Sequence, residues 1–143
     1  MKVVRGHDDT VARWVEQQMG GVFVMPHRAL GVIDDGGVLR GGFVLAFHNP
    51  TTAEVTVYAP WALTPGVAKS FFAWVFGECG VWRMQVSVNA NDKPLKRGLM
   101  KMGFKFECVA KDFYGPDASA VQYRMIASDC RWVKHGQPLQ IAV

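Results

Sequence analysis

The sequence has little that would mark a metal protein, a disulfide scaffold or a membrane anchor. It holds three cysteines, Cys79, Cys108 and Cys130, at wide spacings and in odd number. That usage fits reduced thiols in a cytoplasm, not a disulfide framework. No Cys-x-x-Cys occurs, and the four histidines (His7, His27, His48, His135) lie far apart, so no metal-ligand spacing is present. No stretch approaches the roughly 20 apolar residues that a membrane-spanning helix requires. The N-terminal "MKVVRGHDD" turns charged too early for a secretory signal. There is no block of consecutive Lys or Arg, no internal repeat, no low-complexity tract and no linker.

What is there suits one compact α+β domain over residues 1–143. Half of the residues are apolar (50%) and 20% are charged, enough to bury a core and too few charges for disorder. The net charge of +4 suits a polyanionic ligand such as a nucleotide and is thin support for nucleic acid.

Two periods alternate along the chain. "DDTVARWVEQQMGG" (8–21) reads as a helix with Asp8, Asp9 or Thr10 at its start and Gly20-Gly21 at its end. Val11, Trp14, Val15, Gln18 and Met19 share a face. Strand-like runs follow at 28–34, 39–49 and 53–60, with turn residues between them. A helical face returns over 65–80 through Val67, Phe71, Trp74, Val75 and Cys79. A strand is expected over 81–90. A short basic helix over 93–103 turns Leu95, Leu99 and Met102 inward and Lys93, Lys96, Arg97 and Lys101 outward. A closing hairpin over 104–115 and 119–126 completes the pattern.

The stretch "LTPGVAKSFF" (63–72) opens its helix on Pro-Gly. A helix start carries unsatisfied N–H groups and partial positive charge. Small side chains there let an anion approach the amides. Pro65 lacks an N–H that would go unpaired anyway. Gly66 and Ala68 keep the approach open, and Thr64 is placed to cap the helix or to donate to a phosphate. The bland alternative is a Pro-started core helix.

Leu63-Thr64-Pro65-Gly66-Val67-Ala68 resembles the acyl-CoA loop of the GCN5-related N-acetyltransferase superfamily, without that loop's leading Gln or Arg. "VSVNANDKPLKRGLMKMGFKFE" (86–107) resembles the superfamily's later signature, a strand, an Asn, a short helix and a Gly-Phe that opens the next strand. Gly103-Phe104 stands in that place. The order of elements from residue 8 to about 126 is similar too, with short phage and bacterial acetyltransferase-like proteins nearest in character.

The resemblance implies a mixed, mostly antiparallel sheet splayed between two parallel strands, 53–60 and 82–90, with helices on both faces. It implies acetyl-CoA as co-substrate, held by backbone groups of Thr56, Val57 and Tyr58. The loop Leu63, Thr64, Gly66, Val67, Ala68 and Lys69 would take the pyrophosphate. The aligned Asn position is Asp92 here, and Asn89 and Asn91 lie beside it. The helix Tyr that serves relatives as acid aligns with Leu99, and the strand Glu that serves some as base aligns with Ser87. Candidate bases are therefore Glu54 and His48, against the plainer readings of a solvated strand residue and a polar strand end. Candidate acids are Tyr114 and Tyr123, the latter also expected in the core.

Cys108 reads as a small buried filler. Phe71, Phe72, Trp74 and Trp82 read as core, while Trp61 lies in the cofactor turn and is placed to shelve an adenine. The basic helix reads as a solvated face. Acceptor choice falls to the first helix, the loop around 20–30 and the hairpin near 112–119. The implied activity is transfer of acetyl from acetyl-CoA to an amine acceptor (a protein N-terminus, a lysine or a small amine) by direct attack. The missing residues leave two alternatives open, an idle binding module and a nucleic-acid-modifying relative. A homodimer through the tail 131–143 also stays open. No metal is implied.

Overall fold

The structure, a computed structural model, describes residues 1–24, 26–60 and 62–133. Trp61 and residues 134–143, including most of the tail raised above, lie outside the described residues.

One seven-stranded sheet organises the chain. Its strands are β1 (Lys2–Val4), β2 (His27–Ile33), β3 (Leu39–Asn49), β4 (Thr52–Tyr58), β5 (Arg83–Asn89), β6 (Lys105–Ala110) and β7 (Ala120–Ile126). They lie in the order β1-β2-β3-β4-β5-β7-β6. Every neighbouring pair is antiparallel except β4 and β5. Helix α1 (Asp8–Met19) packs on one face, with Val11, Ala12 and Val15 against Ala29 and Val44. Helix α2 (Pro65–Ala73) packs on the other face, where Phe71 stacks on Phe43 with centroids 4.2 Å apart. Helix α3 (Lys93–Met102) brings Leu99 into that same core.

Two helix ends differ from expectation. His7, not Asp8, Asp9 or Thr10, holds the cap position of α1, and its side chain makes no capping bond. Asp8 and Asp9 instead lie in the first turn, where negative charge faces the positive end of the helix dipole. Helix α2 passes at Trp74 into a π-turn (Trp74–Glu78), closed by Cys79 N–H donating to Trp74 C=O at 2.9 Å. The wider turn buries Trp74, Val75 and Phe76 in succession, which a regular helix face does not do.

Gly103-Phe104 has a local explanation. Gly103 adopts φ 108°, the left-handed conformation that ends α3, and Phe104 N–H donates to Leu99 C=O at 3.0 Å. This turn drops Phe104 into the core beside Phe72. Three side chains depart from the expected pattern. Leu95 is exposed in the first turn of α3, Trp82 stands exposed just before β5, and Cys108 is exposed on the edge strand β6. No helix among the described residues is long and apolar enough to cross a membrane.

Candidate functional site

The parallel pair β4–β5 is joined at only three positions, Thr52↔Arg83, Ala53↔Met84 and Glu54↔Gln85. Both strands continue beyond this, to Tyr58 and Asn89, each held on its outer side by an antiparallel neighbour. The strands therefore diverge into a V whose vertex is Glu54–Gln85.

Strand parity decides which backbone groups face the V. Arg83 N–H donates to Thr51 C=O at 3.0 Å. Successive residues turn their polar groups to opposite sides. Thr51, Ala53, Val55 and Val57 therefore address β5, and Thr56 and Tyr58 address β3. Of the three residues expected to meet a pantetheine arm, Val57 alone turns its N–H and C=O into the gap. The Val57 side chain is also exposed there, unlike Ala53 and Val55 on the same face.

The start of α2 lies past the open end of β4. Thr64 caps the helix, its Oγ1 accepting from Val67 N–H at 3.2 Å, and Thr64 C=O accepts from Ala68 N–H at 2.9 Å. Thr64 N–H itself donates to Ala62 C=O at 3.1 Å. Ala68 is buried and its methyl belongs to the core, so it is not part of the approach. Gly66 is the open position. A Cβ built there would meet only Thr64 Oγ1, at 4.0 Å. Leu63, Pro65 and Lys69 are exposed around it. An anion seated here would bond the Gly66 amide and displace the Thr64 cap from Val67 N–H, with Lys69 adding charge.

On the other arm, Asn89 and Asn91 are exposed at the end of β5, and Asn89 Oδ1 accepts from Asn91 N–H at 2.9 Å. Asp92 is the N-cap of α3 and accepts from Leu95 N–H at 3.2 Å. Its carboxylate is thus accounted for by helix capping.

Polar side chains collect at the vertex, on the sheet face that carries α1. Ser87 Oγ donates to Glu54 Oε1 at 2.7 Å. Tyr114, at the tip of the β6–β7 turn, is half-exposed and feels the Glu54 charge. Burial first, and the Glu54 carboxylate second, push its phenol above the ordinary tyrosine value. Of the four acid–base candidates, Glu54 and Tyr114 are linked by charge, the carboxylate acting on the phenol. His48 has its Nε2 at 3.4 Å from Nε2 of Gln85, the register partner of Glu54. Gln85 Oε1 accepts from Arg83 at 3.4 Å. The Gln85 amide nitrogen is therefore the end that faces His48, and His48 Nε2 accepts. His48 also lines a cleft of about 500 Å³ with Pro26, His27, Arg28 and Phe47.

Tyr123 is buried in the core and is no candidate acid. Leu99 is buried as well. Cys108 is exposed, and its thiol donates to Gln122 Oε1 at 3.2 Å. Motif reading reaches Ser87 only as the place of a missing base and does not select Gln122, yet both are hydrogen-bonded in this group. Both sit at alternate polar positions of β5 and β7, on the face away from the buried Val86, Val88, Val121 and Tyr123. No cluster of His, Cys, Asp or Glu among the described residues is arranged to hold a metal.

No protein-family model and no curated protein sequence matches the chain. Solved structures do match in three dimensions. A mutant form of the spermidine/spermine N-acetyltransferase SpeG from Vibrio cholerae superposes with a TM-score of 0.71 at 16% identity, over 89% of this chain and 96% of that one. A second SpeG mutant gives 0.70 at 13% identity, over 94% and 98%. A GCN5-related N-acetyltransferase from Brucella melitensis gives 0.62 at 20% identity, over 82% of this chain and 57% of that one. Identities this low speak for architecture and not for activity. The chain has the GCN5-related N-acetyltransferase fold.

Proposed function

We propose that the protein is an N-acetyltransferase that passes an acetyl group from acetyl-CoA to a primary amine by direct attack. The observation that carries this reading is the V between β4 and β5 with the Glu54 carboxylate at its vertex. The V offers an extended ligand the free N–H and C=O of Val57. The open helix start at Gly66 offers its phosphates an amide and a cation, Lys69.

The carboxylate that some relatives carry on the β5 strand is replaced here by Ser87, and Glu54 reaches that hydroxyl from β4. The charge has moved one strand over and still serves the same spot. Glu54 takes the proton of the substrate ammonium, directly or through one water. The amine nitrogen then attacks the thioester carbonyl carbon. A C–N bond forms and the C–S bond breaks. The Val57 N–H is the donor that faces the gap and supports the oxygen as charge develops on it. The sulfur leaves as thiolate and takes a proton from Tyr114, whose phenol burial and Glu54 keep protonated, while the nitrogen releases its second proton to solvent, which returns one to the tyrosinate.

The similarity to polyamine acetyltransferases favours a small-molecule amine as acceptor over a protein N-terminus or a lysine. The test is acetyl transfer from acetyl-CoA to a panel containing spermidine, simple primary amines and a peptide N-terminus, read by mass and by free-thiol release. Transfer that falls about 10²–10⁴-fold in Glu54→Gln supports the assignment. Full activity in Glu54→Gln removes Glu54 from the mechanism. Acetyl-CoA binding without transfer to any amine turns the reading toward an idle binding module. Salt-sensitive DNA binding without acetyl-CoA binding turns it toward a nucleic-acid partner.

A further inference from the structure

Three polar side chains stand in one row across the strands beside the vertex. Ser87 and Gln122 are register partners across β5–β7, and Gln122 and Cys108 are partners across β7–β6. Cys108 Sγ donates to Gln122 Oε1 at 3.2 Å, Gln122 Nε2 donates to Ser87 Oγ at 3.3 Å, and Ser87 Oγ donates to Glu54 Oε1 at 2.7 Å. Had the pairing of β4 and β5 continued, the residue facing Ser87 would be Thr56. The divergence carries Thr56 away, and Glu54 leans across from the vertex to end the row.

The direction of this chain follows from elementary chemistry. An ionised carboxylate only accepts, so the Ser87 hydroxyl must donate to Glu54. The Ser87 oxygen is then left to accept, which requires the amide nitrogen of Gln122. That turns the Gln122 carbonyl to Cys108, whose thiol supplies the remaining donor. All three bonds point the same way and polarise one another toward Glu54. Glu54 Oε1 is thereby occupied, while Oε2 has no hydrogen-bond partner among the described residues.

We propose that Ser87 and Gln122 are positioning residues that fix the Glu54 carboxylate with Oε1 tied to the sheet and Oε2 presented to the incoming amine. The inference rests on the reading of Glu54 as the base. Neither residue touches substrate; each acts through Glu54. Cys108 closes the far end of the row, its thiol donating to the Gln122 carbonyl.

The test is a set of variants read in kcat and KM for an accepted amine. Ser87→Ala and Gln122→Ala are expected to lower kcat about ten- to hundredfold with KM for acetyl-CoA unchanged, the cost of a misplaced reacting group. Ser87→Thr, which keeps the hydroxyl, is expected to restore most of kcat. In a Glu54→Gln background Ser87→Ala is expected to change kcat less than twofold, because nothing is left to position. A loss of equal size in both backgrounds would mean a general structural role and overturns the proposal. If Glu54→Gln is itself fully active, the reading of the base fails. If Glu54→Gln is impaired and Ser87→Ala is not, the positioning proposal fails alone. A second measurement needs no turnover. The Gln122 side-chain amide protons are expected as a resolved, exchange-protected pair in nitrogen-15 NMR spectra that moves in both Ser87→Ala and Glu54→Gln. A pair that ignores Glu54→Gln overturns the chain.

Discussion

The same chemical change, Gly to Ala, is expected to act with opposite sign at two positions. Gly42 lies in β3 under α1. A Cβ built there would come within 2.6 Å of Val15 Cγ2 and 3.1 Å of Val11 Cγ1. Both valines are fully buried and stiff at χ1, so neither can swing aside. The helix must lift or the strand must bend. Overpacking of this kind costs about 1–3 kcal/mol, against which alanine recovers about 0.5–1 kcal/mol of backbone entropy. At 2.6 Å the contact is too short to be relieved without backbone movement, so the cost falls in the upper part of that range and the net loss is about 1–2 kcal/mol. At roughly 3 °C per kcal/mol for a domain of this size, Gly42→Ala should lower Tm by about 3–6 °C. Gly98 lies inside α3, and a Cβ there meets nothing within 4 Å. Gly98→Ala should therefore gain about 0.5–1 kcal/mol and raise Tm by about 2–3 °C. Thermal unfolding followed by circular dichroism reads both. A Tm for Gly42→Ala equal to or above that of the parent would refute the close approach of α1 to the sheet.

Thiol reactivity should sort the cysteines by environment. Burial pushes the Cys79 thiol up to about 12, and Cys130 is also raised by burial, while Cys108 stands exposed. Brief alkylation of native protein at pH 8 should label Cys108 well ahead of the other two, by peptide mass mapping; labelling of Cys79 at an equal rate would contradict the packing around the π-turn. The phenol of Tyr114 should ionise later than an ordinary tyrosine. Its ultraviolet titration, isolated by difference from Tyr114→Phe, should move to lower pH in Glu54→Gln, because the charge that opposes tyrosinate is gone while the phenol stays buried as before. No movement would mean that Glu54 and Tyr114 do not share a site.

Much of the architecture is legible in the sequence because local periodicity encodes it. The α1 face through Val11 and Val15, the alternation of β3 and β4, and the Gly-Phe turn after α3 each lie within a few residues. Strand β1, only Lys2–Val4, is too short to show a period. The π-turn is hidden because its signature is a hydrogen bond and not a residue type. Leu95 and Cys108 are exposed by their place in the fold, in the first turn of α3 and on an edge strand. Sequence cannot show that β6 is the edge, because β7 comes later in the chain and inserts between β5 and β6.

The candidate site is divided in the same way. The helix start at Gly66 is local and readable. Glu54 and Tyr114 are readable only as candidates, since their proximity depends on the β6–β7 turn folding back toward β4. The hydrogen bonds of the polar row join residues 33, 35 and 14 positions apart, and tertiary topology alone assembles them. Strand parity is equally invisible in sequence, and it is parity that separates Val57 from Thr56 and Tyr58 as a backbone partner for the ligand.

The most direct measurement of the account is calorimetric titration of the protein and its Gly66→Glu variant with acetyl-CoA. Gly66 is exposed and has space for a side chain, so the variant should fold as the parent does. A carboxylate in the mouth of the helix start should repel the pyrophosphate. The account predicts saturable binding by the parent and its loss in Gly66→Glu. Equal binding by both, or none by a folded parent, would contradict it.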